Sequence, residues 1–252
     1  MQRLTPEEAA MLMPWFLPER PGPLIGLHVI NTGRGACLVD RWPEPRAVLV
    51  QIGDNYSMCG DPHVLKPEDL QPHLKGFVEA PAPFVPLLKA AFPDMQVWPR
   101  IVFEQPALPD IAAPAHAEVR RLTASDVHHL HGLSDDIRWI SGTWDGPEAL
   151  AASGYGWGAF VAGRLAAVTC SFFVGSTYED IGIVTEPQFR KQGLSTTCAG
   201  ALCGDIRARG HLPSWTTSQD NTASRRVAEK LGFVVQRYDE LYVIGVPIPA
   251  TA

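Results

Sequence analysis

Two adjacent acids near the middle of the C-terminal half are of a residue type that can act as a catalytic base. Glu179 and Asp180 directly precede a run of β-branched residues, Ile181–Thr185, which ends before Pro187 and predicts a buried strand. A carboxylate held at such a strand can accept a proton from a reacting group. Because neighbouring strand residues face opposite ways, only one of the two acids can face a given cleft.

The stretch that follows, residues 190–196, has the composition of an anion site. A turn that leads into a helix leaves several backbone N–H groups unpaired and pointing one way. Arg190 and Lys191 add positive charge, and Gly193 allows close approach to the backbone. This pattern predicts a diphosphate cradle. The alternative is a basic turn that caps an ordinary surface helix.

Two helices are predicted to frame these residues. The apolar residues after the cradle recur every four positions, which predicts one buried helix face: Leu194, Cys198, Leu202 and Ile206. A strand is expected at Leu212–Ser218. The second helix begins after Asn221, a good N-cap, and ends at Gly232.

Two motifs in this region resemble those of the GNAT acyl-CoA N-acyltransferases. Arg190 and Gly193 match the pattern R/Q-x-x-G-x-G/A, with Ser195 at its last position. The segment from Asn221 to Phe233 matches N-x-x-S-x-x-x-A-x-K-L-G-F and begins 28 residues after Gly193. The order and spacing of the two motifs are much more specific than either alone. The resemblance covers about residues 118–244, roughly half of the chain.

The resemblance implies an α+β fold with a mixed sheet that splays apart near Ile181–Thr185, and acetyl-CoA as the acyl donor. Pantetheine would pair with backbone groups of Ile183 and Thr185, and Asn221 would face it. Arg190 would stand beside the pyrophosphate. The backbone amides expected to hold the pyrophosphate are those of Gln192, Gly193, Leu194, Ser195 and Thr196.

The family chemistry implied is direct attack of an amine on the acyl thioester. We expect transfer of an acetyl group to a primary amine of a small molecule, with Asp180 as the base and Glu179 as the alternative. Both acids could also be ordinary polar residues at a strand entrance. At the position where the family has a tyrosine that acts as the general acid, this chain has Ala228. Tyr238, Tyr242 and Ser224 are the candidate replacements.

The altered tyrosine position leaves two other functions open. The chain could be an acyl-CoA-binding module with impaired catalysis, or it could acetylate a protein amine. Trp139 and Trp144 fall where the family builds its acceptor wall, although core packing is the simpler interpretation.

The N-terminal half lies outside the minimal family fold. We divide the chain into an N-terminal α+β domain (residues 1–104), a proline-rich linker (105–117) and a GNAT domain (118–252). Gly33–Ala36 resembles Gly156–Ala159, which suggests that the first domain is a degenerate copy of the second. The layout is similar to the subgroup that includes zwittermicin A resistance acetyltransferases. Within this half, Leu24–Ile30 is predicted as a strand and 55–61 as a turn.

Composition and net charge limit the classes of partner and ligand that we expect. The 252 residues carry a net charge of −6, which argues against nucleic acid and anionic membranes. The sequence contains no apolar run near the ~20 residues of a membrane span. Five scattered cysteines without a C-x-x-C pair indicate reduced thiols and a cytoplasmic protein. His128, His129 and His131 lack the spacing of a helical zinc site, so no metal is expected. A homodimer is left open.

Overall fold

The computed structural model describes residues 1–250, which form one mixed sheet of twelve strands with helices on both faces. The predicted α+β class is therefore confirmed. The strands are β1 (Gln2–Arg3), β2 (Ala36–Val39), β3 (Ala47–Ile52), β4 (Asn55–Gly60), β5 (Gly76–Glu79), β6 (Gln96–Glu104), β7 (Ala117–Arg121), β8 (Gly156–Val161), β9 (Arg164–Val174), β10 (Tyr178–Thr185), β11 (Leu212–Ser218) and β12 (Val234–Ile244).

Most of the helices are short, and the longest follows the predicted cradle. They are α1 (Pro6–Ala10), α2 (Ile25–Thr32), α3 (Pro67–Leu70), α4 (Val85–Ala91), α5 (Val127–His131), α6 (Pro147–Ala152), α7 (Leu194–Ala208) and α8 (Thr222–Lys230). A ten-residue 3₁₀ segment, Asp135–Trp144, lies between α5 and α6. None of the helices within residues 1–250 is long and apolar enough to cross a bilayer.

The two halves of the chain exchange a strand at the centre of the sheet. The strand order is β1-β2-β3-β4-β5-β12-β6-β11-β10-β9-β8-β7. Strand β6 comes from the N-terminal half but lies between β11 and β12, where Val102 pairs with Thr216 and with Arg237. In return, β12 pairs with β5, and Tyr242 lies opposite Val78. Backbone hydrogen bonds therefore join the halves directly.

The strand order is the same when it is followed from either edge of the sheet towards the centre. Strands β2, β3 and β4 are antiparallel neighbours, and β5 joins β4 in parallel. Strands β8, β9 and β10 repeat this pattern, with β11 parallel to β10. The Gly33–Ala36 segment leads into β2 and Gly156–Ala159 lies in β8. That the first half is a degenerate copy of the second stays a prediction.

Two local predictions in the N-terminal half are wrong. Residues 24–30 are not a strand, because Ile25–Thr32 forms α2, whose residues Ile25 to Val29 are all buried. A short run that is apolar on every side does not distinguish a buried helix from a strand. Residues 55–61 are not a turn, because Asn55–Gly60 forms β4, paired to β3 and β5.

Two irregular segments each lie across the other half of the molecule. Residues 105–116 contain neither helix nor strand, yet they lie against α7 and α8. The Cβ of Ile111 is 3.7 Å from the position that a Cβ on Gly200 would take. Residues 18–23, which we call the N-terminal strap, cross to β11, where the Gly22 N–H donates to Ser214 Oγ at 3.3 Å. The division into two domains with a linker stays a prediction.

Candidate functional site

Strands β10 and β11 pair over only three residues and then separate. The parallel register runs from Tyr178 opposite Leu212 to Asp180 opposite Ser214. Beyond Asp180, β10 continues to pair with β9 as far as Thr185 opposite Ala167. One edge of β10 is therefore left open where the resemblance implies a splay.

The open edge of β10 presents the backbone groups of alternate residues. The Glu186 N–H donates to Ala166 O at 2.9 Å, so Glu186 is directed towards β9. Because backbone groups alternate along a strand, Ile183 and Thr185 are directed towards the opening. The Arg190 Nε donates to Thr185 O across 3.4 Å, as expected for a carbonyl on that side. These are the backbone groups expected to meet pantetheine.

The turn between β10 and α7 concentrates unpaired amides. Gly193 is the N-cap of α7 with φ +78°, and Lys191 also has a positive φ of +64°. The first bond of the helix is from Thr197 N to Gly193 O, at 3.1 Å. Among residues 1–250, the N–H groups of 192–196 have no hydrogen-bond acceptor. Gln192, Gly193, Leu194, Ser195 and Thr196 thus form a continuous set of free donors.

Space and charge at this turn suit an anion. A Cβ on Gly193 would meet nothing closer than the Pro114 ring, 4.0 Å away. The guanidinium of Arg190 is partly exposed, and its nearest carboxylate, Asp136, is 3.7 Å away. The start of a fifteen-residue helix adds the positive end of its dipole. The residues present therefore fit the pyrophosphate of a CoA thioester.

Asp180 lies at the point where the strands separate, on the face of the sheet opposite α7. Its carboxylate accepts hydrogen bonds from Ser214 Oγ at 2.9 Å and from Thr216 Oγ1 at 3.1 Å. The side chain is buried, with 4% of its surface exposed. Burial raises the pKa of Asp180 to about 6, although the two hydroxyls and the Arg100 and Arg237 charges oppose the rise. A carboxyl that ionises near neutral pH is suited to accepting a proton.

Glu179 faces the opposite way and is already fully engaged. Arg209, at the end of α7, donates to its carboxylate at 2.6 and 3.1 Å. His211 Nδ1 lies 2.9 Å from the same carboxylate, and Ser171 donates to it as well. The side chain is completely buried. These contacts are those of a residue that anchors the end of α7 to the sheet.

Asn221 is the N-cap of helix α8, as predicted. Asn221 Oδ1 accepts from Ser224 N at 2.9 Å, which makes it an N-cap. The Ser224 hydroxyl accepts from Trp215 Nε1 at 3.0 Å. Ala228 is fully buried in the core with Leu231. The position of the family's tyrosine is therefore a core position in this chain.

The other candidate residues are dispersed. Trp144 is 3% exposed and belongs to the core, whereas Trp139 is 49% exposed and contacts Phe172 edge to face. Tyr238 and Tyr242 line a large cavity by the N-terminal half. Residues 1–250 contain no group of three or more His, Cys, Asp or Glu side chains placed for a metal ion. The five cysteines are free thiols.

Sequence reasoning missed the residues that surround Asp180 on its own face. Arg100 of β6 and Thr216 of β11 lie beside it, and the N-terminal strap covers Ser214. Arg100 is 80 residues away in the chain, and no local pattern indicates that β6 inserts next to β11. Only the strand exchange brings these groups together.

A family model described as GNAT acetyltransferase matches residues 23–242. An uncharacterized N-acetyltransferase in the mutA 5′ region of Streptomyces virginiae is 41% identical over 215 residues, which are 84% of this chain and 90% of that protein. The chain belongs to the GNAT acetyltransferase family. The predicted family and the predicted class of enzyme are thereby confirmed.

Solved structures show that the GNAT fold extends over both halves. A GCN5-related N-acetyltransferase-like protein from Streptococcus suis superposes with a TM-score of 0.75 at 18% identity, covering 95% of this chain and 99% of that one. A structure of a putative acetyltransferase from the GNAT family of Novosphingobium aromaticivorans superposes with a TM-score of 0.62 at 19% identity. The match covers 86% of this chain and 94% of that one. The family model, which matches residues 23–242, is wider than the predicted residues 118–244. Membership of the zwittermicin A resistance subgroup stays a prediction.

Proposed function

We propose that this GNAT protein transfers the acetyl group of acetyl-CoA to a primary amine of a small molecule. The supporting observation is the opening between β10 and β11, along one edge of which the backbone groups of Ile183 and Thr185 pair with no strand in residues 1–250. The Thr185 carbonyl there accepts only from Arg190 Nε within the same range. The unpaired amides of residues 192–196 lie beyond the end of that edge. Asp180, buried where the strands separate, supplies a carboxylate next to the proposed position of the thioester.

In this proposal the chain binds acetyl-CoA, orients its pantetheine arm and removes a proton from the acceptor amine. The amides of residues 192–196 and Arg190 hold the pyrophosphate, and Ile183 and Thr185 align the pantetheine arm. Acetyl-CoA supplies an activated thioester. The amine nitrogen bonds to the acetyl carbon as the carbon–sulfur bond breaks, Asp180 takes the amine proton, and the thiolate gains a proton from water. A thiol with a pKa near ~8.5 leaves without a dedicated acid, so the alanine at position 228 is tolerated.

The buried Ala228 also supports a second candidate, an acyl-CoA-binding module without catalysis. Calorimetry with CoA and an assay of thiol release from acetyl-CoA with a panel of amines separate the two. We expect CoA to bind and at least one amine to release thiol. Binding of CoA with no thiol release from any amine would favour the binding module, and absence of CoA binding would exclude both.

A further inference from the structure

The N-terminal strap is fastened to the other half of the molecule by one carboxylate that accepts from several backbone amides. The Glu19 side chain accepts from the N–H groups of Ser176 at 2.9 Å, Thr177 at 3.0 Å and Tyr178 at 2.6 Å, all at the turn between β9 and β10. Gly175 leaves room for this contact, because a Cβ there would collide with Glu19 Oε1. Several charge-assisted bonds to a single side chain make a firm anchor.

The far end of the strap lies against strand β11. The Arg237 guanidinium donates to Pro21 O, and the Gly22 N–H donates to Ser214 Oγ at 3.3 Å. Gly22 has a φ of +122°, and a Cβ there would lie 2.6 Å from Arg237 Nη2. A residue with a side chain would therefore hold the strap away from β11. The strap thus brings a backbone donor from the N-terminal half to a serine that is completely buried.

This backbone donor fixes the direction of the next hydrogen bond. An amide N–H can only donate, so Ser214 Oγ accepts from Gly22 and its single hydroxyl proton is left to donate. The acceptor of that proton is Asp180 Oδ1, 2.9 Å away. Thr216 Oγ1 donates to the same oxygen at 3.1 Å. Both hydroxyl protons therefore lie on Oδ1.

The two oxygens of Asp180 are consequently unlike. Oδ1 has two donors, whereas no group of residues 1–250 donates to Oδ2. Oδ2 also keeps a small contact with solvent, although only 4% of the side chain is exposed. Transfer of a proton to Oδ1 would require a hydroxyl to turn away first, whereas Oδ2 can accept a proton directly.

We propose that the N-terminal strap positions the carboxylate of Asp180, with Glu19 and Ser214 as positioning residues. Glu19 holds the strap in place, the Gly22 amide directs the Ser214 hydroxyl onto Oδ1, and Oδ2 is kept free to take a proton. The inference rests on the proposed acetyl transfer, in which Asp180 is the base. It gives the N-terminal half a direct part in the orientation of the reacting group.

The other charges around Asp180 are not altered when the Ser214 hydroxyl is removed. Arg100 of β6 and Arg237 of β12 stabilise the anion, while burial raises the pKa of Asp180 to about 6. The remaining titratable groups on the elements packed around it are Glu179 of β10, Asp239 of β12, Glu19 and Arg20 of the strap, and His28 of α2. A change in the titration of Asp180 in Ser214→Ala therefore reports the lost hydrogen bond.

The titration of Asp180 tests the positioning without any need for catalysis. In the full chain labelled with carbon-13 at the aspartate carboxyl carbons, the Asp180 resonance is identified by its loss in Asp180→Asn. Ser214→Ala removes a donor to the ionised form, so we expect the titration midpoint to rise by about one pH unit.

Loss of the anchor should act in the same direction through the strap. We expect Glu19→Ala to raise the Asp180 midpoint and to speed hydrogen exchange at the amides of residues 176–178 at least about tenfold. Glu19→Gln keeps the shape of the side chain and should show a smaller effect of the same sign if Glu19→Ala folds poorly. In an assay of thiol release, the rise of kcat/KM with pH should shift with the midpoint, while kcat at about pH 8.5 stays within about threefold.

Ser57→Ala and Glu44→Ala are the matched controls. Ser57 donates to Glu79 at 3.4 Å in the other half, and Glu44 is an exposed carboxylate outside the strap. A midpoint that is unchanged in Ser214→Ala, or in both Glu19 variants, would overturn the inference. If the midpoint moves and the kcat/KM profile does not, the positioning is supported and Asp180 is excluded as the base. The failure of the inference and the failure of the proposed function are thus distinguishable.

Discussion

At the level of single residues, burial and hydrogen bonding give the adjacent acids different roles. Asp180 has two hydroxyl donors and a raised pKa, whereas Glu179 is held by Arg209 and His211. Adjacency in a strand separates them onto opposite faces. The same pair of carboxylates can therefore supply one reactive group and one structural anchor.

Replacing Asp180 with Asn should remove the base and keep its shape. We expect Asp180→Asn to lower kcat by a factor of about 10²–10⁴, with the affinity for CoA unchanged by calorimetry. In the wild type, kcat/KM should rise with pH through about 6, because the raised pKa means that Asp180 is protonated below that pH. The acceptor amine titrates near ~10, so the rise in kcat/KM that comes from Asp180 can be separated from the rise that comes from the amine. An unchanged pH limb in Asp180→Asn would exclude this residue as the base.

Replacing Glu179 with Gln should act on stability. The change removes the charge that pairs with Arg209 and His211 in a buried position, so we expect a loss of about 1–3 kcal/mol in the free energy of unfolding in urea. Glu229→Gln, on the exposed face of α8, should be near neutral. If Glu179→Gln instead keeps full stability and loses more activity than Asp180→Asn, the two roles must be exchanged.

At the level of elements, both ends of α7 carry a left-handed glycine, and this provides a matched pair. Gly193 (φ +78°) opens the helix and Gly210 (φ +83°) follows its end; a Cβ on either would meet no atom closer than 4.0 Å. An alanine at each position should cost about 1 kcal/mol of stability, because L residues disfavour this region. Only the Cβ at 193 would stand among the free amides.

We therefore expect Gly193→Ala to raise the Kd for CoA at least about tenfold, and Gly210→Ala to leave it unchanged. Calorimetry measures the affinity, and urea unfolding confirms that the two variants are equally stable. Equal affinities would mean that the amides of residues 192–196 do not hold the pyrophosphate.

The elements that could be predicted from the sequence are those specified by local patterns. The Leu194–Ile206 stripe and the Asn221 cap each depend on residues within one helix, and both appear in the structure. The sequence predicts a strand where α2 lies, because burial on all sides removes the periodicity that distinguishes a helix from a strand. The surroundings of Asp180 were missed because Arg100 and the N-terminal strap reach it only through long-range strand pairing.

At the level of the whole molecule, the exchanged strands predict that neither half folds alone. Residues 118–252 without β6 would leave β11 and β12 with unpaired edges and expose part of the core around Trp215 and Phe233. We expect this fragment to aggregate, and co-expression with residues 1–104 to restore a soluble complex, measured by gel filtration. Cooperative unfolding of the isolated fragment, together with CoA binding, would contradict this.

A nick in the connecting segment is the complementary control. A protease site introduced at residue 110 should allow cleavage of the chain while the two pieces still co-elute and bind CoA, because paired strands hold them together. Dissociation on cleavage would show that the covalent connection, and not the shared sheet, joins the halves.

The exchanged strands also set the order in which the protein can be completed during synthesis. Strand β6 leaves the ribosome more than 100 residues before its partner β11. The separation between β5 and its partner β12, which ends at Ile244, is longer still. Until the last segment emerges, the N-terminal half has an open sheet edge and an incomplete core. The nascent chain therefore stays exposed to misassociation until β12 has emerged.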